Sequence, residues 1–491
     1  MSDRATAAGA TTADATEGAA AERLRALAEA FWEDHLRAHP MWATIMGDRR
    51  YDDRLPDLSP DAIRANQERL WATLAAASAL NAGQLTQAEQ VTRQMLIDEV
   101  GGQLAALGTG LHEWTVDPLE GPHVSLLNLP EYQSIEKPVD GERLTARWRA
   151  IDTYLDATID GLRRAKASGR VAVRTPVDRT IDELRHLEAL APERWKLAAP
   201  ADVPHDGWTA AEEAAFADGL RAAVREVAVP AFRRYREVLE DEIRPAARSA
   251  DLPGLLHVPG GADAYRAMIR SHTSLDLDPA EIHATGLAEI EEIDGQFVAL
   301  GRRLLATPDL PTTLHALRTD RSLRFETADE VFRTAQASLE RAAAAIPSWF
   351  GRLPKAPCEV VRIPEHAEVH QTIAYYAWPA MDGSRAGRYY INLYAPETRP
   401  RYEAETLAFH ESIPGHHLQI AIAQELDGLP AFQRALGSNA FSEGWGLYTE
   451  RLAEEMGLYS GEMDRFGILS FDAWRAGRLV VDTGMHAFGW T

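Results

Sequence analysis

The chain reads Phe-His-Glu-Ser-Ile-Pro-Gly-His-His-Leu-Gln over residues 409–419, and this stretch concentrates its most chemically informative side chains. His410, Glu411, His416 and His417 all fall within eight residues. Neutral imidazole is the commonest protein ligand of zinc, and a carboxylate beside such a metal is able to take a proton from water. The stretch therefore predicts a metal site. The alternative is three histidines that cluster by chance in a core or at helix ends.

The spacing differs from that of the helical His-Glu-x-x-His motif, which puts two histidines one turn apart. Position i+4 from His410 is Pro414, and the next histidines follow at i+6 and i+7. Seven residues of ideal helix span ~10.5 Å, which is too far for two ligands of one ion. Because Pro414-Gly415 favours a break in the helix, we expect a looped-out turn that brings His416 or His417 back beside His410.

The composition predicts a large globular protein and argues against two classes of partner. The chain has 491 residues, of which 45% are hydrophobic, and a net charge of −23. Such a charge disfavours binding to nucleic acid and to anionic membranes. No signal-peptide pattern opens the sequence, and no run approaches the ~18 apolar residues of a membrane span. We therefore predict a cytoplasmic protein.

The single cysteine offers little chemistry. Cys358 follows Pro357 and precedes the apolar pair Val360-Val361. This context is more typical of a buried strand residue than of a thiol nucleophile, and one cysteine provides neither a disulfide nor a thiolate metal cage.

Helical periodicity dominates the first two thirds of the chain. Residues 1–20, rich in Ala, Thr, Gly and Asp, predict a disordered tail. Ser59-Pro60 and the segment Asp278–Glu281 have the form of helix starts. The clearest apolar stripe consists of Leu144, Trp148, Ile151, Leu155, Ile159 and Leu162. We predict a helical region over residues 21–350 and a further region over 351–491, in one continuous body; the family resemblance given below implies that the first forms the walls of a cleft and that the second is catalytic.

A change of pattern near residue 350 predicts a small sheet. The segments 358–363, 372–378 and 388–394 are short and rich in β-branched and aromatic residues, and Asp382-Gly383-Ser384 predicts a turn between the last two. The predicted fold class is therefore mainly α, with one small antiparallel sheet next to the metal site.

A third metal ligand is expected downstream of the histidines. Glu443 lies 26 residues after His417, which leaves room for a helix, a turn and a returning helix. Two antiparallel helices would then face each other across the metal. Glu450, seven residues further on, shares the helical face of Glu443 and would steady a ligand imidazole. Taken alone, both glutamates are more typical of a solvated helix surface.

Three segments, HESIPGHHLQ, SEGWGLYTE and RAGRLVVDTGMHAFGW, resemble those of a bacterial family of uncharacterised proteins, DUF885. The residues 40–47 and 259–265 are similar as well. That family is itself similar to gluzincins, the zinc metallopeptidases with a glutamate as third ligand. The resemblance implies a helical body around a central cleft, with zinc at its base and an edge strand of the sheet beside it. The strand from Tyr389 to Tyr394, including Tyr390, would then hold an extended peptide by main-chain pairing.

The resemblance also assigns roles to site residues. His410, Glu443 and a histidine of the 416–417 pair would hold Zn²⁺, and Glu411 would be the general base. His486 would donate a hydrogen bond to a transition-state oxyanion, with Asp482 orienting its ring. The other two members of this polar cluster, which would bind a substrate carboxylate or pair with the acidic surface, are Arg475 and Arg478.

The predicted function is zinc-dependent hydrolysis of peptide or peptide-like amide bonds in small substrates. Two alternatives keep the same scaffold: a zinc hydrolase of a non-peptide amide or ester, and a catalytically silent helical binding protein. The chain ends at Thr491, soon after His486, whereas the family normally continues for a further helical segment. The sequence therefore resembles a truncated product, which would lack part of the cleft wall.

Overall fold

The computed structural model describes the main chain of residues 4–363, 368 and 371–491, and the side chains from residue 18 onward within those ranges. The chain forms two compact units. Unit 1 comprises Met1–Ser271, Leu429–Gln433 and Gly489–Thr491, and unit 2 comprises His272–Gly428 and Arg434–Phe488. The division thus lies at Ser271, whereas the sequence predicts one near residue 350.

Unit 1 is helical throughout its described residues. Its helices are α1 (Arg4–Ala38), α2 (Pro40–Ile45), α3 (Pro60–Ala79), α4 (Gln87–Thr109), α5 (Leu111–Trp114), α6 (Pro122–Asn128), α7 (Pro138–Arg149), α8 (Ile151–Ala167), α9 (Arg174–Glu188), α10 (Ala210–Ala223), α11 (Val229–Val238) and α12 (Gly261–Thr273), the last of which runs into unit 2. A π-helical segment at Val224–Ala228 joins α10 to α11.

The predicted apolar stripe lies in the core of unit 1. All six of its side chains are buried, and Trp148 donates a hydrogen bond from Nε1 to the carbonyl oxygen of Leu197. The stripe is divided between two helices, because a turn at Ala150 interrupts the regular helix between α7 and α8. Periodicity predicts the buried face but does not reveal this interruption.

The N-terminal segment differs from the predicted tail. Helix α1 extends back to Arg4, and Met1, Ser2 and Asp3 lie outside the described residues. Alanine is frequent in residues 4–20 and has the highest helix propensity of all residues, which favours this helix.

Unit 2 contains the histidine stretch. Its helices are α13 (Pro279–Leu304), α14 (Leu310–Thr319), α15 (Ala328–Ala345), α16 (Arg401–Glu411), α17 (His416–Gln424), α18 (Ala431–Ala435, shared with unit 1), α19 (Asn439–Glu455) and α20 (Arg465–His486). Phe297 of α13 stacks on Phe466 of α20, with 6.0 Å between ring centroids. This packing explains why α13 and its neighbours belong to the unit that carries the histidines and not to the preceding helical region.

A three-stranded sheet precedes the histidine helices. The strands are β1 (Cys358–Arg362), β2 (Ala374–Ala377) and β3 (Gly387–Ile391), in the order β1-β3-β2. β3 pairs parallel with β1 and antiparallel with β2, so the sheet is mixed and the prediction of an antiparallel sheet is wrong. The turn containing Asp382-Gly383-Ser384 does connect two antiparallel strands, as predicted. The parallel pairing arises because β3 inserts between the two earlier strands.

The strand order determines which strand could pair with a further chain through its main-chain groups. The segment from Tyr389 to Tyr394 begins in β3, the central strand, whose main chain is paired on both sides. It therefore cannot accept a peptide by main-chain pairing, and that part of the prediction is wrong. Among the described residues, β1 and β2 form the edges of the sheet.

The mainly helical class is confirmed. In the part of the chain that the structure describes, no helix is both long enough and apolar enough to span a bilayer.

Candidate metal centre

His410 lies in the last turn of α16, where α19 passes close to its imidazole ring. The residue is only 4% exposed. A Cβ atom at Gly446 of α19 would lie 2.4 Å from Cε1 of His410, so a glycine is needed where the ring crosses this helix. Burial and this close approach hold the imidazole between the two helices.

The turn after His410 brings a second imidazole beside it. Residues 412–415 separate α16 from α17, and the Ile413-Pro414 peptide bond is cis. Gly415 passes so close to the main chain of His410 that a Cβ atom there would lie 1.8 Å from the His410 carbonyl oxygen. The centroids of the His410 and His416 rings are 4.6 Å apart, and the ring planes are nearly perpendicular. The chain thus makes the looped-out turn that Pro414-Gly415 predicts.

Glu443 of α19 completes a group of three potential ligands. One of its carboxylate oxygens lies 3.6 Å from Nε2 of His410, and the other lies 3.6 Å from Nε2 of His416. One ligand atom from each residue lies within 4.8 Å of the other two. The side chain of Glu443 is 65% exposed, whereas both histidines are buried, so the group is accessible from the Glu443 side. No other group of three or more such side chains meets this criterion among the described residues.

Glu450 determines which nitrogen of His410 is available. Its Oε1 lies 2.8 Å from Nδ1 of His410, and the residue is completely buried. An ionised carboxylate only accepts hydrogen bonds, so Nδ1 must donate to it. The lone pair of the neutral ring is then on Nε2, the nitrogen that faces Glu443. A histidine bound to a metal through one nitrogen commonly donates the other to a carboxylate in this way.

The charges of the group shift the pKa values of its members. Burial lowers the pKa of His410, but contact with Glu443 and Glu450 more than offsets it and raises the pKa to about 9. Burial, reinforced by the charge of His410, lowers the pKa of His416 to about 4. Contact with His410 lowers the pKa of Glu443. A metal ion that bound here would displace the proton of His410, because only the neutral ring is a ligand.

Glu411 ends helix α16, next to His410. Burial raises its pKa to about 7, while the positive charge of His410 opposes the shift and the negative charge of Glu443 adds to it. Within the described part of the chain, no hydrogen bond or ion pair engages its carboxylate. The side chain is half-buried, so this carboxylate is free to exchange a proton near neutral pH.

His417 has different partners from its neighbour His416. Its Nε2 lies 3.0 Å from the carbonyl oxygen of Ala356, to which it donates, and its Nδ1 accepts from the Tyr376 hydroxyl at 2.8 Å. Both nitrogens are therefore engaged within the protein. Of the two histidines that the sequence leaves open, the structure brings His416 and not His417 to His410 and Glu443.

The structure brings one of the predicted arginines into contact with the group. Nη2 of Arg475 lies 2.8 Å from Oε1 of Glu450 and 3.0 Å from Nδ1 of His410. Arg478 is exposed, and its guanidinium carbon lies 4.7 Å from the centroid of the Trp474 ring. The two arginines therefore have different surroundings although they are one helical turn apart.

The remaining predicted residues lie towards the end of α20 and in the central strand. His486 lies eleven residues beyond Arg475, ~16.5 Å further along the axis of α20, where its Nε2 is 3.7 Å from Asp482. Tyr390 lies in the central strand and stacks on Tyr375. The resemblance groups Asp482 and His486 with Arg475. They follow Arg475 by seven and eleven residues, so they share its helical face but lie further along α20.

Two residues of the site region carry no prediction from the sequence. Tyr376 holds His417, and Gly446 leaves room for His410. A signal for Gly446 is present in the sequence: it lies three residues after Glu443 and four before Glu450, on the same helical face. No comparable signal links Tyr376 to a histidine 41 residues away.

The three side chains fit a zinc site in their chemistry. Two imidazoles and one carboxylate are a known catalytic set for zinc, which leaves a fourth position for water or substrate. The hydrogen bond from His410 to Glu450 supplies the outer support that such sites have. In addition, both rings have Nε2 facing Glu443, and Nδ1 of His416 is buried without a partner among the described residues.

Comparison with known proteins assigns the chain to a family. It belongs to the bacterial proteins of unknown function designated DUF885, whose model matches residues 40–491. No protein of curated function matches the sequence. The likeness to gluzincins stays a prediction.

Two solved structures have the same fold. The “putative lipoprotein” from Colwellia psychrerythraea superposes with a TM-score of 0.87 at 22% identity, covering 97% of this chain and 84% of the other. A “putative lipoprotein of unknown function” from Shewanella oneidensis has a TM-score of 0.67 at 16% identity, covering 95% and 84%. At these identities the likeness concerns the fold alone.

Proposed function

We propose that this protein is a zinc-dependent hydrolase of peptide or peptide-like amide bonds in small substrates. The observation that carries the proposal is the convergence of His410, His416 and Glu443. Glu411 follows the first of them, and its carboxylate has no hydrogen-bond or ion-pair partner among the described residues. A set of two histidines and one glutamate with a second glutamate nearby is typical of zinc hydrolases that attack carbonyl carbons. The resemblance to gluzincins points in the same direction.

In this proposal, His410, His416 and Glu443 hold the metal, and Glu411 handles the proton. When bound, zinc supplies a Lewis acid that polarises a carbonyl group and makes water more acidic. Glu411 accepts the proton of the attacking water and passes it to the leaving amine. Glu450 keeps the Nδ1 proton of His410 in place, so that Nε2 stays directed at Glu443.

The edge strand β2 supports a peptide as substrate. Asn392 donates its main-chain N–H to the carbonyl oxygen of Ile373, which makes these residues a hydrogen-bonded pair. In an antiparallel ladder such pairs alternate, so the N–H and C=O groups of Tyr376 point to the free edge. The Tyr376 ring lies 6.4 Å from that of His416. An extended peptide added to β2 would therefore run beside the ligands.

The proposal is tested by metal analysis and by one substitution. The purified protein should contain about one zinc per chain and should cleave members of a panel of short peptides with free and blocked termini, followed by mass spectrometry. Glu411→Gln should keep the zinc and lose turnover by a factor on the order of 10² to 10⁴, the usual contribution of a general base. Glu455→Gln, an exposed glutamate of α19, is the control and should behave as the wild type.

The other outcomes separate the alternatives. Zinc binding without cleavage of any peptide would favour another amide or an ester as substrate. Absence of zinc, even after its addition, would favour a silent binding protein on the same scaffold. Full activity of Glu411→Gln would exclude the proposed role of this carboxylate.

We propose a cytoplasmic location from the sequence, but the two similar structures belong to proteins described as lipoproteins. Fractionation of cells that express the natural gene, followed by immunodetection in the soluble and membrane fractions, tests this point. Recovery in the membrane fraction would contradict the cytoplasmic assignment.

A further inference from the structure

Among the described residues, Arg475 is the one arginine or lysine in contact with the buried carboxylate of Glu450, behind the proposed metal site. Its Nη2 lies 2.8 Å from Oε1 of Glu450 and 3.0 Å from Nδ1 of His410. Nδ1 already donates to Glu450 and has no lone pair left to accept a second proton. Arg475 therefore donates its hydrogen bond to Glu450. The guanidinium lies close to the His410 ring because both groups donate to the same oxygen, Oε1 of Glu450.

This arrangement leaves Arg475 poorly placed to bind a substrate carboxylate. Its Nη1 is buried, without a partner among the described residues, and its guanidinium carbon lies 5.4 Å from the centroid of the Phe471 ring. Glu450 is completely buried, and a buried carboxylate needs a charged or hydrogen-bonded partner to remain ionised and fixed. The guanidinium supplies that partner.

Neighbouring ion pairs show that Arg475 is not needed simply to hold the helices together. α19 and α20 are also joined by Arg451 with Asp472 and by Glu454 with Arg465. Residues 454, 451 and 450 of α19 pair with residues 465, 472 and 475 of α20, in that order, so the two helices are antiparallel. In each of these two pairs at least one side chain is well exposed. Of these three pairs, the one between Glu450 and Arg475 joins the helices at the imidazole of His410.

We propose that Arg475 is a positioning residue: it fixes the Glu450 carboxylate and, through it, holds the His410 ring in the orientation that metal binding requires. The inference rests on the proposed function, since it assumes that His410 is a ligand. It assigns Arg475 to the metal site and not to substrate recognition, so the residue should affect zinc affinity before any substrate is present.

The test compares Arg475→Met with Arg451→Met, which removes a helix-to-helix ion pair without touching Glu450. Zinc dissociation constants are measured on the full chain by competition with a chromogenic chelator, and the fold is checked by circular dichroism. Arg475→Met should bind zinc about 10- to 100-fold more weakly, the usual cost of losing an outer partner of a metal ligand, whereas Arg451→Met should match the wild type. The absorption spectrum of the cobalt-substituted protein should change only in the Arg475 variant.

A second measurement distinguishes positioning from substrate binding. For each peptide that is cleaved, kcat/KM is measured for the form with a free C-terminal carboxylate and for the form with a C-terminal amide, and the ratio of the two values is taken. Arg475→Met should leave this ratio unchanged. Unchanged zinc affinity, or collapse of the ratio, would overturn the inference.

Two further results separate the role of Arg475 from the proposed function itself. If Arg475→Met does not fold, the zinc affinity of Arg475→Lys tests the inference instead. Lysine keeps the positive charge but lacks the planar set of donors of a guanidinium, so zinc binding should still weaken, and binding equal to the wild type would overturn the inference. Absence of zinc binding by the wild-type chain would overturn the proposed function as well. A loss confined to the Arg475 variants supports both.

Discussion

Oε1 of Glu450 lies 2.8 Å from Nδ1 of His410, while Nε2 of the same ring lies 3.6 Å from the carboxylate of Glu443. One imidazole thus contacts two glutamates of helix α19 that are seven residues apart. The buried glutamate orients the ring, and the exposed one faces the other ring nitrogen, Nε2. The two carboxylates therefore have separate roles, which substitutions can distinguish.

Glu450→Gln should weaken zinc binding while leaving one site per chain. The substitution keeps the size of the buried side chain but removes the charge that fixes the Nδ1 proton, and we expect a loss of about 10- to 100-fold in zinc affinity. Titration with zinc against a competing chelator measures it. Glu455→Gln on the same helix is the control, and equal affinities in the two variants would argue against an orienting role for Glu450.

Gly446→Ala should damage both the fold and the site. The added methyl group would lie 2.4 Å from Cε1 of His410, so the ring or the helix must move. Overpacking of this kind costs about 1–3 kcal/mol, and the displaced ring should bind zinc more weakly. Thermal unfolding and zinc titration of the same preparation measure the two effects.

The matched control is Gly444→Ala, two residues earlier in α19. A Cβ atom there meets nothing within 4 Å, and the residue is exposed. Alanine favours a helix over glycine by roughly 0.5–1 kcal/mol, so this variant should be slightly more stable with unchanged zinc binding. Similar behaviour of the two alanine variants would contradict the tight crossing of α19 over His410.

His416→Ala and His417→Ala should fail in different ways. His416→Ala removes a proposed ligand and should lose zinc with little change in unfolding temperature. His417→Ala should retain zinc but be less stable by about 1–3 kcal/mol, because it leaves the Tyr376 hydroxyl and the Ala356 carbonyl without their partner. Metal analysis after dialysis and scanning calorimetry distinguish them, and loss of zinc only in the His417 variant would reverse the assignment.

Much of the local structure could be predicted from the sequence because its causes are local. The stripe from Leu144 to Leu162 predicts a buried helical face, and Ser59-Pro60 predicts the start of α3, where the Ser59 hydroxyl accepts from the N–H of Ala62. Pro414-Gly415 similarly predicts the turn between α16 and α17. In each case each determining residue lies within about one helical turn of the next.

The remaining features depend on contacts between residues far apart in the chain. The choice between His416 and His417 depends on Tyr376 and Ala356, which are more than 40 residues away and capture one of the two rings. The parallel pairing of β1 with β3 depends on the insertion of one strand between two others, which no local pattern encodes. The roles of Arg475 and His486 differ because of their positions along α20, although the sequence presents them as one cluster.

The edge of β2 that no strand pairs with among the described residues makes a prediction about substrates. If a peptide pairs with this edge, its main-chain N–H and C=O groups alternate between facing β2 and facing away. N-methylation, introduced at one position at a time in a cleaved peptide, should therefore lower kcat/KM at every second position, by roughly 3- to 10-fold for each hydrogen bond lost. The same positions changed to alanine serve as controls for side-chain effects. A uniform loss, or losses that follow the side chains, would mean that the substrate is held by other groups than the Tyr376 edge.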